Sequence, residues 1–118
     1  MPWVDGDFDT AANEHGTIHH EQRLSAPVSG KIIKYRAKTT TQCNGRAHET
    51  VLVIAKADDP NDRIEIRSNI RDCSETDGEL DKAYRVEGGK DYDLVITSSG
   101  FSAGEQVQGV AGVFYSLF

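Results

Sequence analysis

The chain has 118 residues, which fits a single domain spanning 1–118. Its 13 basic and 19 acidic residues give a formal charge of -6; a negative chain repels phosphate backbones, and no basic stripe is present, which argues against nucleic-acid binding. No apolar run approaches the roughly 20 residues that a membrane-spanning helix needs, and Met1 is followed by Pro2, Trp3 and acids rather than by a signal-peptide pattern.

The elements are short strands separated by turn chemistry. "VDGDFDTAANE" (Val4 to Glu14) opens the chain with Asp5, Asp7 and Asp9 at alternate positions, and the spacing predicts an opening strand within a first segment, 1–15, that is only loosely attached. "GKIIKYRAKTT" (Gly30 to Thr40) places Ile33, Tyr35 and Ala37 on one face. "ETVLVIAKA" (Glu49 to Ala57) is a continuous apolar run, as in a central strand buried on both faces. "DDPND" (Asp58 to Asp62) reads as a turn around Pro60. "RIEIRSNI" alternates, with Ile64 and Ile66 inward and Glu65 and Arg67 outward. "CSETDGELDK" (Cys73 to Lys82) is polar and loop-like, with room for one helical turn. "AYRVEGGKDYDLVITSSG" reads as a hairpin through Gly88-Gly89. "VQGVAGVFYSLF" is a last strand with Val113, Tyr115 and Leu117 on one face. No stretch longer than ten residues carries a helical apolar period. The expected fold is all-β: an antiparallel β-sandwich or jelly roll with one disulfide.

The disulfide follows from the two cysteines. Cys43 and Cys73 both lie in polar, turn-like settings, "TTTQCNGR" and "IRDCSETDG", where a bridge is a better reading than a buried structural thiol. The bridge implies an oxidising compartment, so the chain is expected to be the mature form of a secreted or periplasmic protein.

The order of these pieces resembles the bacterial pre-peptidase C-terminal domain, a small jelly-roll module appended to exported enzymes. "DGDFDTA" (Asp5 to Ala11) is similar to that family's opening, with Phe8, Thr10 and Ala11 in the matching places. "SGKIIKYRAKT", with Tyr35 and Arg36, is similar to its "YYRF"-like strand, and "EGGKDYDLVITSSG" (Glu87 to Gly100) to its penultimate one. The chain departs from the family's Glu-Pro-Asn opening, and its loop from Arg71 to Lys82 is longer and more charged. The resemblance implies a binding module that recognises an extracellular polymer, protein or polysaccharide, and a calcium ion held at the acidic opening.

Read from the residues alone, Asp5, Asp7 and Asp9 admit two readings. Calcium takes six to eight oxygen ligands, and these acids could converge on one ion, with Asp58 and Asp59 as further ligands, if the backbone curls. In a straight strand they would share one face about 6–7 Å apart, as solvated charge. "EHGTIHHE" (Glu14 to Glu21) holds His15, His19 and His20. On a strand His19 points away from His20, which disfavours zinc and leaves a pH-sensitive surface group or ordinary strand residues. No Gly-x-Ser-x-Gly elbow or phosphate-binding loop occurs, so an enzyme is not expected. Trp3, Tyr92 and Phe101 are the candidate ligand-contacting aromatics, with Phe101 in the polar loop "SSGFSAGEQ" as an exposed anchor. The alternative function is a stand-alone secreted effector or toxin-like protein that binds a host or competitor protein. Phe118, at the terminus of "FYSLF", would allow a dimer.

Overall fold

The structure, a computed structural model, describes residues 3–117 and the side chains of residues 4–116. It contains eight strands: β1 (Trp3–Ala11), β2 (Ile18–Ser25), β3 (Gly30–Thr40), β4 (Ala47–Lys56), β5 (Asp59–Arg71), β6 (Thr76–Val86), β7 (Asp91–Ser98) and β8 (Gln106–Leu117). They form two four-stranded antiparallel sheets, ordered β1-β8-β3-β6 and β2-β7-β4-β5. The pairs β1/β8, β2/β7, β3/β6 and β4/β5 are those of one long hairpin wound on itself, which is a jelly roll. Only β4 and β5 are both neighbours in sequence and partners in a sheet; every other connection crosses between the sheets.

The inward residues follow the period-2 rule of strands. Phe8 of β1, Leu52 and Ile54 of β4, Leu94 and Ile96 of β7 and Val107 and Val113 of β8 are buried between the layers. Phe8 lies directly opposite Gly109, where a Cβ would collide with its ring. In β3 a bulge between Ile32 and Lys34 resets the alternation, so Ile32 points inward and Ile33 does not share the face of Tyr35 and Ala37.

Five expectations are corrected. β1 is not loosely attached: it pairs with β8 over its whole length, Trp3 to Ala11. β4 is buried on its inner face only; Val51, Val53 and Ala55 on the outer face are half-buried, because nothing among the described residues packs over that sheet. The turn before β5 is at Ala57 and Asp58, and Pro60 sits within β5, which an edge strand tolerates because no partner needs its missing N–H. The polar segment read as a loop is β6, whose charges face solvent from the edge of a sheet. β6 and β7 are not a hairpin; their turn carries the chain from one sheet to the other.

Connections cluster at two ends. Residues 12–17, 41–46, 72–75 and 99–105 lie at one end, and the turns 26–29, 57–58 and 87–90 at the other.

Candidate functional site

The three opening acids do share one face, the outer surface of the β1-β8-β3-β6 sheet, and each meets a different neighbourhood. Asp5 is held by Arg36 through two hydrogen bonds, one from Nε at 2.9 Å and one from Nη2. Asp9 accepts from Gln106 Nε2. Asp7 borders a shallow depression with Phe8, Lys38 and Gln108. Asp58 lies in the β4–β5 turn and Asp59 opens β5, in the other sheet and at its opposite lateral edge, where Asp58 faces Lys90 at 3.4 Å. Among the described residues these carboxylates do not converge on a common point. The arrangement does not fit a calcium shell: Asp5 is already neutralised, and the pleat of a straight strand keeps the others apart.

The histidines and aromatics are likewise distributed. His19 faces outward, bonded to Glu21 and Thr97, while His20 faces inward and stacks on Phe8 with ring centroids 5.3 Å apart. Phe101 is not an exposed anchor. It is 7% exposed and lies face to face with the His48 ring at a centroid distance of 3.9 Å, plugging the end of the sandwich. A single large apolar ring in a polar loop gains more from folding back over the core than from standing in water. Tyr92 is a core residue, 2% exposed, and its hydroxyl accepts the Glu87 amide. The side chain of Trp3, and Phe118 altogether, lie outside the described residues.

The densest polar construction is at the end formed by the 41–46 and 72–75 loops. Cys43 and Cys73 form the expected disulfide, with Cα atoms 5.2 Å apart. Both take left-handed backbone conformations, φ 55° and 64°, which cost an ordinary side chain about 1 kcal/mol or more. Each is held there by its own amide: Cys43 N–H donates to Asp72 Oδ2 and Cys73 N–H to the Thr39 carbonyl, both at 2.7 Å. Asp72, only 3% exposed, also accepts from the Thr41 amide at 2.9 Å and the Thr41 hydroxyl at 2.7 Å. Burial alone would raise the Asp72 pKa. The Thr41 and Cys43 hydrogen bonds and the charge of His48 outweigh it and hold the carboxyl below its ordinary value. His48 itself is 1% exposed; its Nδ1 donates to the Ser99 carbonyl at 2.9 Å and its Nε2 is buried without a partner. Arg46 ties the same end to the 99–105 loop through the Gly100 carbonyl at 2.6 Å. Sequence reasoning missed Asp72; its signal was an acid immediately before a half-cystine.

The widest opening lies along the opposite flank from β1, between the edge strands β5 and β6. Each pairs on one side only, β5 with β4 and β6 with β3, and the two sheets part between them. Two depressions of about 610 and 350 Å³ share Ile64 and Lys82 and form one groove. Its apolar surface comes from Ile64, Ile66, Tyr35, Leu80 and Tyr84, and its rims from Arg63, Glu65 and Arg67 on one side and Glu79, Asp81 and Arg85 on the other. Tyr84 bridges the strands by donating to the Asp62 carbonyl at 2.9 Å. Burial, then the charge of Asp62, raises its pKa well above the usual phenol value, so it stays a donor.

No protein-family model and no curated protein matches this chain. Among solved structures it is similar to one titled "Structure of infectious bursal disease virus Gx strain", at 15% identity and a TM-score of 0.44, over 93% of this chain and 30% of that one.

Proposed function

We propose that the chain is a non-catalytic binding module of an exported protein and that it holds an extended segment of a partner polypeptide in the groove between β5 and β6. The observation that carries this reading is the groove itself. It is apolar along its floor, charged along its rims, and flanked by two strand edges that lack a partner on the groove side. Such edges offer backbone donors and acceptors that an extended polypeptide complements, with alternate side chains entering the apolar floor. The stretch of β5 from Asp62 to Arg67 would match about six residues of ligand at roughly 3.3 Å each. A polysaccharide is less well served, since sugars stack on exposed aromatic faces and Tyr84, Tyr92 and Phe101 are buried.

The buried polar groups support a role without catalysis. Ser98 is fully buried and hydrogen-bonded to Thr50 Oγ1 at 2.8 Å, His48 spends Nδ1 on a backbone carbonyl, and Asp72 is occupied by loop donors. They form no relay to an accessible nucleophile. The disulfide, and the resemblance of "DGDFDTA" and its companion strands to an appended module, support export. Among the described residues no helix is long and apolar enough to cross a membrane.

An array of extended peptides, probed in parallel with insoluble polysaccharides, tests the reading. Wild type should be retained by a subset of peptides, and Ile64→Arg, which puts a charge on the groove floor, should lose that retention while keeping its melting temperature within a few degrees. Retention by polysaccharide alone, or peptide binding indifferent to Ile64→Arg, would overturn it.

A further inference from the structure

Of the asparagines Asn13, Asn44, Asn61 and Asn69, only Asn44 is followed by a glycine. The pair lies in the exposed turn between Cys43 and the start of β4. There Asn44 Oδ1 accepts a hydrogen bond from the Arg46 amide at 3.0 Å, so the side chain spans the Gly45 nitrogen that stands between them. We propose that Asn44 is a self-modification site. The Gly45 nitrogen attacks the Asn44 side-chain amide, and the position converts, without an enzyme, to aspartate and isoaspartate.

Each part of that reaction has a group in place. The nucleophile is not engaged: among the described residues the Gly45 N–H makes no hydrogen bond. Access is open as well. Gly45 takes φ 74°, and a Cβ built on it would meet nothing within 4 Å; with no side chain at all, its nitrogen can close on the amide carbon. Attack puts negative charge on Oδ1, and the Arg46 N–H already sits at the distance of an oxyanion donor. The charge of the product is also provided for. Arg46 gives Nη2 to the Gly100 carbonyl and Arg71 gives Nη1 to the Gly45 carbonyl, and neither forms an ion pair among the described residues. A carboxylate at position 44 would share its turn with two guanidinium groups.

The atoms balance with water as the only co-reactant. The Gly45 nitrogen loses its proton and bonds to Asn44 Cγ, the Cγ–Nδ2 bond breaks, and the side-chain nitrogen leaves with that proton as ammonia. Water then opens the five-membered imide. Cleavage at Cγ gives aspartate; cleavage at the main-chain carbonyl gives isoaspartate, with the chain rerouted through the side chain. No electrons are transferred. Either product adds one negative charge to a chain of formal charge -6. Isoaspartate also lengthens the main chain by one carbon, in a turn tied down by the Cys43–Cys73 bridge on one side and by the bond from Arg46 to Gly100 on the other. The rate rises with pH, because the attacking nitrogen must shed its proton. Asn13 is a control within the same molecule. Its Oδ1 also accepts from the amide two residues on, that of His15, at 2.9 Å, but the residue between is Glu14.

Peptide mapping by mass spectrometry tests this on the folded, oxidised protein held for weeks in mildly alkaline buffer. The mass gain of an amide turned into an acid should accumulate at Asn44 at least tenfold faster than at Asn13, Asn61 or Asn69. Part of the product should accept a methyl group from an isoaspartyl methyltransferase. Gly45→Ala should slow the conversion at least tenfold; its methyl group enters open space, and an unchanged circular dichroism spectrum confirms the fold. In wild type the rate should fall as the buffer is made acidic. Asn44 surviving as long as Asn13, a rate unchanged in folded Gly45→Ala, or a wild-type rate indifferent to pH would overturn the assignment.

Discussion

Arg36 reaches across Gly112 to grip Asp5. The three residues stand in one cross-strand row, Asp5 on β1, Gly112 on β8 and Arg36 on β3, and a Cβ at Gly112 would collide with the Asp5 carboxylate. The glycine is thus the gap through which a two-bond guanidinium–carboxylate pair spans three strands. Arg36 also lies 3.7 Å from Glu75. A bidentate, partly shielded pair is worth about 1 kcal/mol. Asp5→Ala should lower stability by about that amount in urea titrations. Gly112→Ala should cost more, about 1–3 kcal/mol, because it overpacks the row as well as breaking the pair.

The same row bears on calcium. With Asp5 engaged by Arg36 and Asp9 by Gln106, Asp7 has no second and third carboxylate to join. Thermal melts in EDTA and in millimolar calcium should coincide, for wild type and for Asp7→Ala alike. A calcium-dependent rise that vanishes in Asp7→Ala would restore the opening acids as a metal site.

Asp72 makes the acid limb of stability predictable. Its pKa is lowered in the folded protein, so its contribution is fully present above the unfolded carboxylate value of about 3.9 and is lost as pH falls through the lower folded value. Asp72→Asn presents an amide to donors that need an acceptor. It should cost about 1–3 kcal/mol at neutral pH and should flatten the loss of stability as pH falls below about 4. Melts across that range on both proteins give the comparison.

Much of the fold was legible because the strands follow period 2 where one face is buried. The extent of β3, though not its inward face before the bulge, the inward set of β5 and the inward residues of β7 and β8 were readable. The failures share a cause. β6 is an edge strand, so its outward and rim positions are charged, and "TDGELDK" carries no more apolar signal than a loop. The β6–β7 turn has hairpin chemistry, yet whether strands joined by a turn pair or part is settled by the other strands that compete for their edges. The site was less legible still. Phe101 and Tyr92 read as surface candidates from their local sequence, and only the partners that meet them, His48 and the Glu87 amide, place them inside. The β5–β6 groove joins strands of different sheets and has no local motif at all.

The bridge closes a loop of 30 residues, for which the chain-entropy model gives about 3–4 kcal/mol. The double variant Cys43→Ser, Cys73→Ser in metal-free buffer should melt on the order of 10 °C lower than the oxidised wild type. Both positions hold left-handed backbone conformations, so Cys73→Gly should recover part of a serine variant's loss.

Phe101→Ala separates the plugged end from the groove. The ring is buried, stacked on His48, and its amide donates to the Gly16 carbonyl at 3.0 Å, which also ties in the 12–17 loop. Removing it exposes the top of the core and should cost about 3 kcal/mol, at the lower end of the range for buried phenylalanines because the site is at the end of the sandwich and water can fill it. The groove lies along the β5–β6 flank and includes neither Phe101 nor His48. At a temperature where the variant remains folded, peptide retention should therefore match wild type. Stability and binding falling together there would mean that the loop end, and not the flank, contacts the partner, and would redirect mutagenesis to Asn44, Arg46 and the 99–105 loop.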